Sequence, residues 1–348
     1  MRGVRAAAGV VAAAVAVGGA AFVAGPGGAG RGASAAGAPR ASTAAAPRAS
    51  AAAARWTRLA DSTLARTEVA AARVGGAVFV VGGYAAPDGE TTGVVERYDL
   101  RRDRWRRVAP IPEPVNHAAA VAWRGDVYVV GGYPETGALW RYDPGRDRWR
   151  RLPPMPTARG ALAAGVIGGR LYAIGGARGG EALATLEIFD LRRRRWSRGP
   201  SMRLAREHLA AAVAGGALYV LAGRAAGEGN FTAVERYVPR RGRWEQVPPM
   251  RKARGGIAAA AVGGRIVVVG GEEQAGTIRE VELYDPARRR WSRLPDLPTP
   301  RHGLAAVASG RCVYVLEGGV QPGLTYSPAA ESLCLARRPT PLTEPRPQ

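Results

Sequence analysis

One tripeptide of this 348-residue chain, Arg206-Glu207-His208, contains residue types that can transfer protons. A second acidic pair, Glu272-Glu273, directly follows a glycine pair. A carboxylate whose pKa is raised by burial can act with a histidine to remove a proton beside a carbonyl or anomeric carbon, and an arginine can hold a substrate carboxylate. Glu207 and His208 are therefore candidate catalytic residues. The alternative is a hydrogen-bonded pair with a purely structural role.

Six polar residues recur at one distance before a glycine and could form an anion site. Each lies nine residues before a glycine that follows a segment of small residues. They are Arg66, Asn116, Arg159, Arg206, Arg254 and Arg301. Guanidinium groups arranged in a ring can bind carboxylate, phosphate or sulfate through paired hydrogen bonds. Alternatively, each arginine pairs with a carboxylate or with backbone groups and holds neighbouring elements together.

All three histidines, His117, His208 and His302, lie beside those six positions. A zinc or copper site would require their nitrogen atoms to converge at about 2.0 to 2.1 Å from one ion. Counted from the glycines, His208 is one residue out of step with the other two, which argues against convergence. We therefore predict no metal site and no cofactor.

These residues belong to a sixfold repeat with two independent markers. The second glycine of a pair lies at Gly83, Gly132, Gly176, Gly223, Gly271 and Gly319. Tryptophans lie at Trp56, Trp105, Trp149, Trp196, Trp244 and Trp291. Both series advance in steps of 44 to 49 residues. A shared period in the high forties is typical of propeller blades rather than helical solenoids.

Each repeat is predicted to contain four short antiparallel strands, here named a to d. In the second repeat they cover residues 117–123, 127–130, 139–142 and 149–152. Strand a consists mostly of small residues and strand b of β-branched and aromatic residues, as expected for buried strands. Arg124-Gly125 and Asp143-Pro144-Gly145 supply the tight turns.

The glycine pair, the aromatic–aspartate pair such as Tyr142-Asp143 and the following tryptophan resemble the Kelch motif of Kelch-repeat β-propellers. The resemblance covers residues 55–335 and implies an all-β, six-bladed propeller. The sixth repeat lacks its own tryptophan, so Trp56 is predicted to lie on a strand that joins the last blade and closes the ring. The superfamily includes galactose oxidase, which uses a tyrosine–cysteine pair with histidines on copper. No corresponding set can be placed in this sequence.

In such a propeller the loops before strand a and after strand b share one face. The six polar residues, the histidines, Glu207, Glu272 and Glu273 would then meet at one mouth of the central channel. We predict a binding module that uses these loops to hold a protein or an acidic carbohydrate. An alternative is a carbohydrate-active enzyme, because the arrangement is similar to that of the exported Kelch-type sialic acid epimerases. A mutarotase-like reaction belongs to the same alternative, and we favour binding over catalysis.

The chain is strongly basic, with 50 Lys and Arg against 28 Asp and Glu and a formal charge of +22. Arginines crowd the turns between strands c and d, as in residues 101–104 and 192–195. This rim could hold the protein on an anionic envelope surface and make it a scaffold there. The alternative is an ordinary solvated turn. No nucleic-acid module accompanies the charge, so we predict no nucleic-acid partner.

The terminal segments predict an exported protein. Residues 1–24 place two arginines before an apolar run, as in an export signal, although an uncleaved membrane anchor has a similar length. Residues 25–54 read as a disordered Ala/Pro/Gly linker and residues 336–348 as a disordered tail. The mature protein is expected to be secreted or extracytoplasmic. A closed propeller needs no partner for stability, so we expect a monomer.

The two cysteines, Cys312 and Cys334, fall on strands b and c of the sixth repeat. If the strands pair in register, the two residues could form a disulfide that an exported location would preserve. The alternative is two small buried hydrophobic residues.

Overall fold

The computed structural model describes residues 54–336, and every regular element within that range is a β-strand. The predicted export segment, the predicted linker up to residue 53 and the predicted tail from residue 337 lie outside the described residues. Between residues 54 and 336 there is no helix of the length and hydrophobicity needed to cross a membrane.

The main strands form six antiparallel four-stranded sheets, or blades, numbered here in chain order. The N-terminal strand is β1 (Trp56–Arg58). Blade 1 contains β3 (Ala70–Val74), β4 (Ala77–Val81), β7 (Val95–Asp99) and β8 (Arg104–Val108). Blade 2 contains β9 (Ala119–Trp123), β10 (Asp126–Val130), β11 (Leu139–Asp143) and β12 (Arg148–Leu152). Blade 3 contains β13 (Ala163–Ile167), β14 (Arg170–Ile174), β17 (Leu186–Asp190) and β18 (Arg195–Arg198).

The second half of the ring repeats this order. Blade 4 contains β19 (Ala210–Ala214), β20 (Ala217–Leu221), β23 (Val234–Val238) and β24 (Arg243–Val247). Blade 5 contains β25 (Gly255–Val262), β26 (Arg265–Glu273), β28 (Val281–Asp285) and β29 (Arg290–Leu294). Blade 6 contains β30 (Ala305–Ser309), β31 (Cys312–Leu316), β32 (Ala330–Cys334) and β1.

Short strands extend the loops at one end of the blades. They are β2 (Arg66–Thr67), β5 (Tyr84–Ala85), β6 (Glu90–Thr91), β15 (Ala177–Arg178), β16 (Glu181–Ala182), β21 (Arg224–Ala225), β22 (Gly229–Asn230) and β27 (Gly276–Thr277).

The size of the side chains increases from the innermost strand of each blade to the second strand. The innermost strands are rich in alanine, and those of all six blades line a cavity of about 380 Å³ along the channel. The second strands are mostly buried, and β4, β10 and β20 are buried at every residue, because neighbouring blades cover both of their faces. Small residues thus let six strands gather around one channel, while larger apolar residues fill the space between blades.

A tryptophan on the outermost strand fastens each blade to the preceding one. Trp149 Nε1 donates a 2.8 Å hydrogen bond to the carbonyl of Ala109. Trp56 on β1 donates the equivalent bond to Pro295, at 2.9 Å. The same kind of bond is made by Trp105, Trp196, Trp244 and Trp291. The repeated tryptophan is therefore both core and hydrogen-bond donor between blades.

The first and last strands share a sheet, as the missing tryptophan of the sixth repeat predicted. β1 pairs antiparallel with β32, with Trp56 opposite Leu333. Each innermost strand packs against the next, and β30 packs against β3. The prediction of a six-bladed propeller with β1 in the last blade is confirmed. In the same blade Cys312 lies directly opposite Cys334, and the structure joins their sulfur atoms in a disulfide.

Candidate functional site

The five arginines predicted to ring the channel mouth lie inside the blades instead. Each side chain is fully buried and donates to a glutamate on the third main strand of its own blade. The pairs are Arg66 with Glu96 (2.9 Å), Arg159 with Glu187 (2.5 Å), Arg206 with Glu235 (3.1 Å), Arg254 with Glu282 (2.7 Å) and Arg301 with Glu331 (2.7 Å). The prediction that these arginines hold an anionic ligand is wrong, because their side chains are fully buried and their terminal Nη atoms already donate to groups of the same blade. Their role is the alternative one, pairing with a carboxylate.

Asn116, the sixth member of the predicted ring, is not the counterpart of an arginine. The turn between β9 and β10 places Arg124, with φ of 50°, where the other turns have a glycine. The glycine used for counting is therefore displaced by one residue. Asn116 forms an isolated bridge to Tyr133 of the kind that Glu207 forms in blade 4. Val115 consequently occupies the arginine position of blade 2.

A circle of backbone hydrogen bonds surrounds the channel two or three residues beyond each arginine position. The N–H of each blade donates to a carbonyl of the preceding blade, over 2.9 to 3.3 Å. The bonds run from His117 to Glu68, Ala161 to His117, His208 to Ala161, Gly256 to His208, Gly303 to Gly256 and Val69 to Gly303. Glu68, His117 and His208 adopt left-handed φ values of 50° to 53°, a conformation that costs about 1–2 kcal/mol for a residue with a Cβ. Their side chains line a cavity of about 80 Å³ at this end of the channel.

The circle corrects the predicted spacing of the histidines. His117 and His208 occupy equivalent positions in it, and His302 lies one residue earlier in its blade, where it bridges Gly319. It is therefore His302, and not His208, that is out of step. The same displacement affects the last glycine pair, because Glu317 and Gly318 follow β31 directly, so that Gly319 lies one residue too late.

Three ligand-type atoms meet at the centre of the site. His117 Nε2 lies 3.0 Å from His208 Nε2 and 3.2 Å from Glu68 Oε2. Arg224 Nη2 lies 3.2 Å from the same His208 Nε2. Groups of different blades thus come together at the channel mouth, and two of them, Glu68 and Arg224, were not among the predicted residues.

The outer nitrogen of each histidine has its own acceptor. His208 Nδ1 contacts the carboxylate of Glu207, and His117 Nδ1 lies 2.5 Å from Asn116 Oδ1. Because a carboxylate and an amide oxygen only accept, both Nδ1 atoms must carry the proton. When both imidazoles are neutral, two Nε2 atoms with lone pairs face each other beside a carboxylate. A cation, whether a proton or a metal ion, would relieve the repulsion between them.

The charges of the cluster follow from burial and neighbours. Burial raises the pKa of Glu68, but His117, His302 and His208 together lower it by more, so that this pKa lies well below its ordinary value. Burial lowers the pKa of His117 to about 4 in spite of the Glu68 carboxylate. At neutral pH the cluster accordingly presents an ionised Glu68 and a neutral His117.

Glu207 also differs from the expectation for a catalytic acid or base. Burial raises its pKa, but His208 and Arg224 lower it by more, and the net pKa lies below its ordinary value. The prediction of a raised pKa at Glu207 is wrong, because two hydrogen-bond donors were not counted. Glu207 stays a carboxylate that orients His208.

Glu68, His117 and His208 could hold a divalent metal ion. One ligand atom from each lies within 4.8 Å of the others. Two imidazoles and one carboxylate are a ligand set that zinc accepts, with a further position open for water or substrate. The fixed Nδ1 atoms provide the outer hydrogen bonds that orient metal-ligating histidines. The sequence argument against convergence of the histidines therefore does not hold for His117 and His208.

Blades 4, 5 and 6 extend the polar cluster. Arg224 donates to Glu207 at 2.8 Å and to Glu272 at 2.7 Å, so its guanidinium bridges the two carboxylates. His302 Nδ1 lies 3.3 Å from Glu68 and 3.6 Å from Glu272. Burial lowers the pKa of His302, but these two carboxylates raise it above its ordinary value.

Two tyrosine rings lie beside the central cluster, and one predicted acidic residue, Glu273, lies outside it. Tyr84 and Tyr133 stand edge-on to the ring of His117, with centroids 5.7 and 5.4 Å away. Glu273 pairs with Lys252 at 2.8 Å and is half-exposed, so it lies outside the central cluster. A sequence signal for Glu68 did exist, because it follows Arg66 by two residues as His208 follows Arg206.

Comparisons with known proteins identify the repeats. The family model described as the KLHDC2/KLHL20/DRC7 Kelch-repeats domain matches residues 68–254, and the Kelch motif model matches residues 253–298. The solved structure of YjhT is similar, with a TM-score of 0.67 and 15% sequence identity over 78% of this chain and 96% of that chain. At this identity the likeness concerns the fold alone. No curated protein matches the chain.

Proposed function

This chain belongs to the Kelch-repeat family, and from that premise we propose that it is a binding module whose ligand enters the channel mouth beside Glu68, His117 and His208. The observation that carries the proposal is the charged cluster there, where groups from different blades surround one small cavity. Such a cluster costs desolvation and backbone strain. Polar groups gathered in a cleft at that cost are a feature of ligand sites.

The ligand we propose is a hydroxyl-rich molecule of the carbohydrate class. The carboxylates of Glu68, Glu207 and Glu272 outnumber the guanidinium of Arg224, and carboxylates accept hydrogen bonds from hydroxyl groups. Tyrosine rings beside His117 offer apolar faces to a sugar ring. The predicted ring of arginines is buried and offers no cations to an acidic sugar. We therefore expect neutral sugars to bind more tightly than acidic ones.

A second candidate function is catalysis by proton transfer. The observation that favours it is the contact of Glu207 with His208 Nδ1, which leaves His208 Nε2 directed into the channel. A carboxylate that fixes the tautomer of a histidine is a recurring arrangement for a general base. In that case His208 would be the base and Glu207 its positioning residue, in an epimerase-like or mutarotase-like reaction.

Thermal unfolding with a panel of neutral and acidic monosaccharides tests the binding proposal. A ligand at 100 times its dissociation constant stabilises the folded state by about 2.7 kcal/mol. We expect a stabilising sugar whose effect is lost in Glu272→Gln and kept in the control Asp296→Asn, which changes an outer, part-exposed carboxylate. If no sugar stabilises the protein, or if Glu272→Gln responds as the wild type does, the proposed site is wrong.

Turnover of the stabilising sugar then separates binding from catalysis. Exchange between its anomers or epimers can be followed by NMR. Catalysis predicts that His208→Gln abolishes the exchange and retains the stabilisation by the sugar. A binding module predicts that the protein leaves the uncatalysed exchange rate unchanged.

We also propose that the protein works outside the cytoplasm. The pairing of Cys312 with Cys334 supports this, because disulfides persist in oxidising compartments. Thiol titration of the denatured, unreduced protein recovered from cell fractions is the test. Two free thiols, or recovery from the cytoplasm alone, would contradict export.

A further inference from the structure

Blade 2 lacks the buried arginine–glutamate pair that the other five blades share. Val115 occupies the arginine position, since its carbonyl accepts from Gly83 N as the carbonyl of Arg159 accepts from Gly132 N. Trp140 occupies the glutamate position on the third strand. It lies opposite Val129, as the glutamates lie opposite the equivalent residues of the other second strands.

The space that the pair would fill is a pocket of about 240 Å³. Val115, Trp140 and the backbone of β10 and its following loop form its walls, and two carboxylate residues, Glu113 and Glu135, also line it. The pocket shares no residue with the channel-mouth cavity. It is therefore independent of the site proposed above.

The residues whose carbonyl groups accept from an arginine in other blades have counterparts that line this pocket. In blade 4 Arg206 donates to Val220 O at 3.5 Å, to Ala222 O at 3.0 Å and to Ala233 O at 2.7 Å. The structural counterparts in blade 2 are Val129, Gly131 and Ala138, all of which line the pocket. The register supports this correspondence, because Gly131 N bonds Ala138 O as Ala222 N bonds Ala233 O.

Trp140 adds one further requirement. Its Nε1 is buried and has no hydrogen-bond partner among the described residues. An unsatisfied buried donor costs about 1–3 kcal/mol, so an occupant that accepts a hydrogen bond there would be favoured. The indole ring also offers its face to a cation, as it already does to Arg151 at 5.7 Å.

We propose that this pocket binds the side chain of an arginine residue in a peptide segment of a partner protein. The guanidinium takes the position that the chain's own arginine takes in five blades and donates to the carbonyls. Glu113 and Glu135 supply the negative charge, and a main-chain carbonyl of the peptide accepts from Trp140 Nε1. Arg151 pairs with Glu113 at 3.3 Å and is exposed, so it can be displaced by the incoming arginine.

Binding of three short capped peptides, alike except for a central arginine, lysine or citrulline, tests the proposal by calorimetry. Citrulline matches the shape of arginine without its charge, and lysine keeps the charge without the planar fork of donors. We expect the arginine peptide to bind at least about tenfold more tightly than either control, since one charge-assisted hydrogen bond contributes enough for that ratio. Equal affinities for arginine and citrulline would overturn the proposal.

Two variants locate the binding. The double variant Val115→Arg with Trp140→Glu gives blade 2 the pair of the other blades, and it should fold and lose the arginine peptide. In the wild type the peptide should shift the indole N–H resonance of Trp140 in the NMR spectrum, and Trp140→Phe identifies that resonance by removing it. A double variant that binds the peptide as the wild type does, or an indole resonance that does not move, would show that the arginine binds elsewhere.

Discussion

Glu317 is a carboxylate at a backbone position where the other blades have glycine or alanine. It follows β31 directly, has φ of 55° and is fully buried. Its Oε1 lies 2.9 Å from Arg66 Nη2, so this arginine faces both Glu96 and Glu317. Burial raises the pKa of Glu317 to about 7, although Arg66 lowers it. One guanidinium does not offset the burial of two carboxylates.

The raised pKa predicts that Glu317 makes the protein less stable as the pH rises. The folded state holds the proton up to about pH 7, while the unfolded state releases it near 4.5, so the loss occurs between these two values. Across this window the stability of Glu317→Gln relative to the wild type should increase by about 3 kcal/mol. Urea unfolding of both proteins at several pH values measures the difference.

Asp296→Asn serves as the control for this pH series, because it removes a part-exposed carboxylate that pairs with Arg293. Its stability relative to the wild type should change little across the same window. A flat difference for Glu317→Gln would mean that Glu317 is ionised in the folded protein throughout.

The close approach of His117 Nε2, His208 Nε2 and the Glu68 carboxylate predicts that the channel mouth binds a transition metal. Added Co²⁺ should give the visible absorption of a low-symmetry site, and Zn²⁺ should abolish that absorption by competition. His117→Ala and Glu68→Gln should each weaken Co²⁺ binding about tenfold or more. Asp296→Asn should bind Co²⁺ as the wild type does. An identical Co²⁺ spectrum in the two site variants would assign the metal to another part of the chain.

At the scale of elements, the buried arginines connect the loop before each innermost strand to the third strand of the same blade. Arg254 donates to Glu282 and to the carbonyls of Gly270 and Glu280. Truncation of one partner of a buried ion pair strongly lowers the free energy of unfolding, because the other charge stays buried without compensation. The pair therefore specifies how the loop lies on the blade.

Arg254→Ala should lower the free energy of unfolding by about 3–5 kcal/mol. The double variant Arg254→Met with Glu282→Leu should be markedly less destabilised, because it leaves no unpaired charge. Urea unfolding of the two variants gives the comparison. If the double variant is no more stable than Arg254→Ala, the carbonyl bonds of the arginine, rather than its ion pair, hold the loop.

The elements show which parts of the fold the sequence could reveal. Glycine and tryptophan spacing predicted six blades and the place of β1, because those residues are required by backbone conformation and by blade-to-blade hydrogen bonds. Counting from glycines failed where Arg124 and Glu317 adopt a left-handed conformation themselves. The sequence contained a signal for the buried ion pairs of the arginines, because a glutamate recurs on the third strand of the same five blades. Arg224 directly follows Gly223, as Glu272 follows Gly271, but the residue type at this position differs from blade to blade, so the repeat did not indicate an arginine of the site.

At the scale of the whole molecule, β1 completes the last blade although it precedes all the other strands in the sequence. A chain that begins at residue 60 loses the ladder between β1 and β32 and the bond from Trp56 to Pro295. We expect it to unfold with roughly 3 kcal/mol less free energy than a chain that begins at residue 54, and to aggregate through the exposed edge of β32. Thermal unfolding and light scattering measure the two effects.

Trp56→Phe is the matched control for this truncation. It keeps the strand and loses only the indole donor, which costs about 1 kcal/mol. Equal stability of the two chain lengths would show that β32 does not depend on β1.

The pairing of β1 with β32 also affects when the last blade can form during synthesis of the chain. The ribosome makes β1 before every other strand of the propeller and β32 after all of them. During synthesis five blades can acquire their four strands in turn, while β1 has no partner strand until the chain is nearly finished. The last blade therefore forms only when synthesis has reached its end, because a chain that stops before β32 leaves β1 without a partner strand.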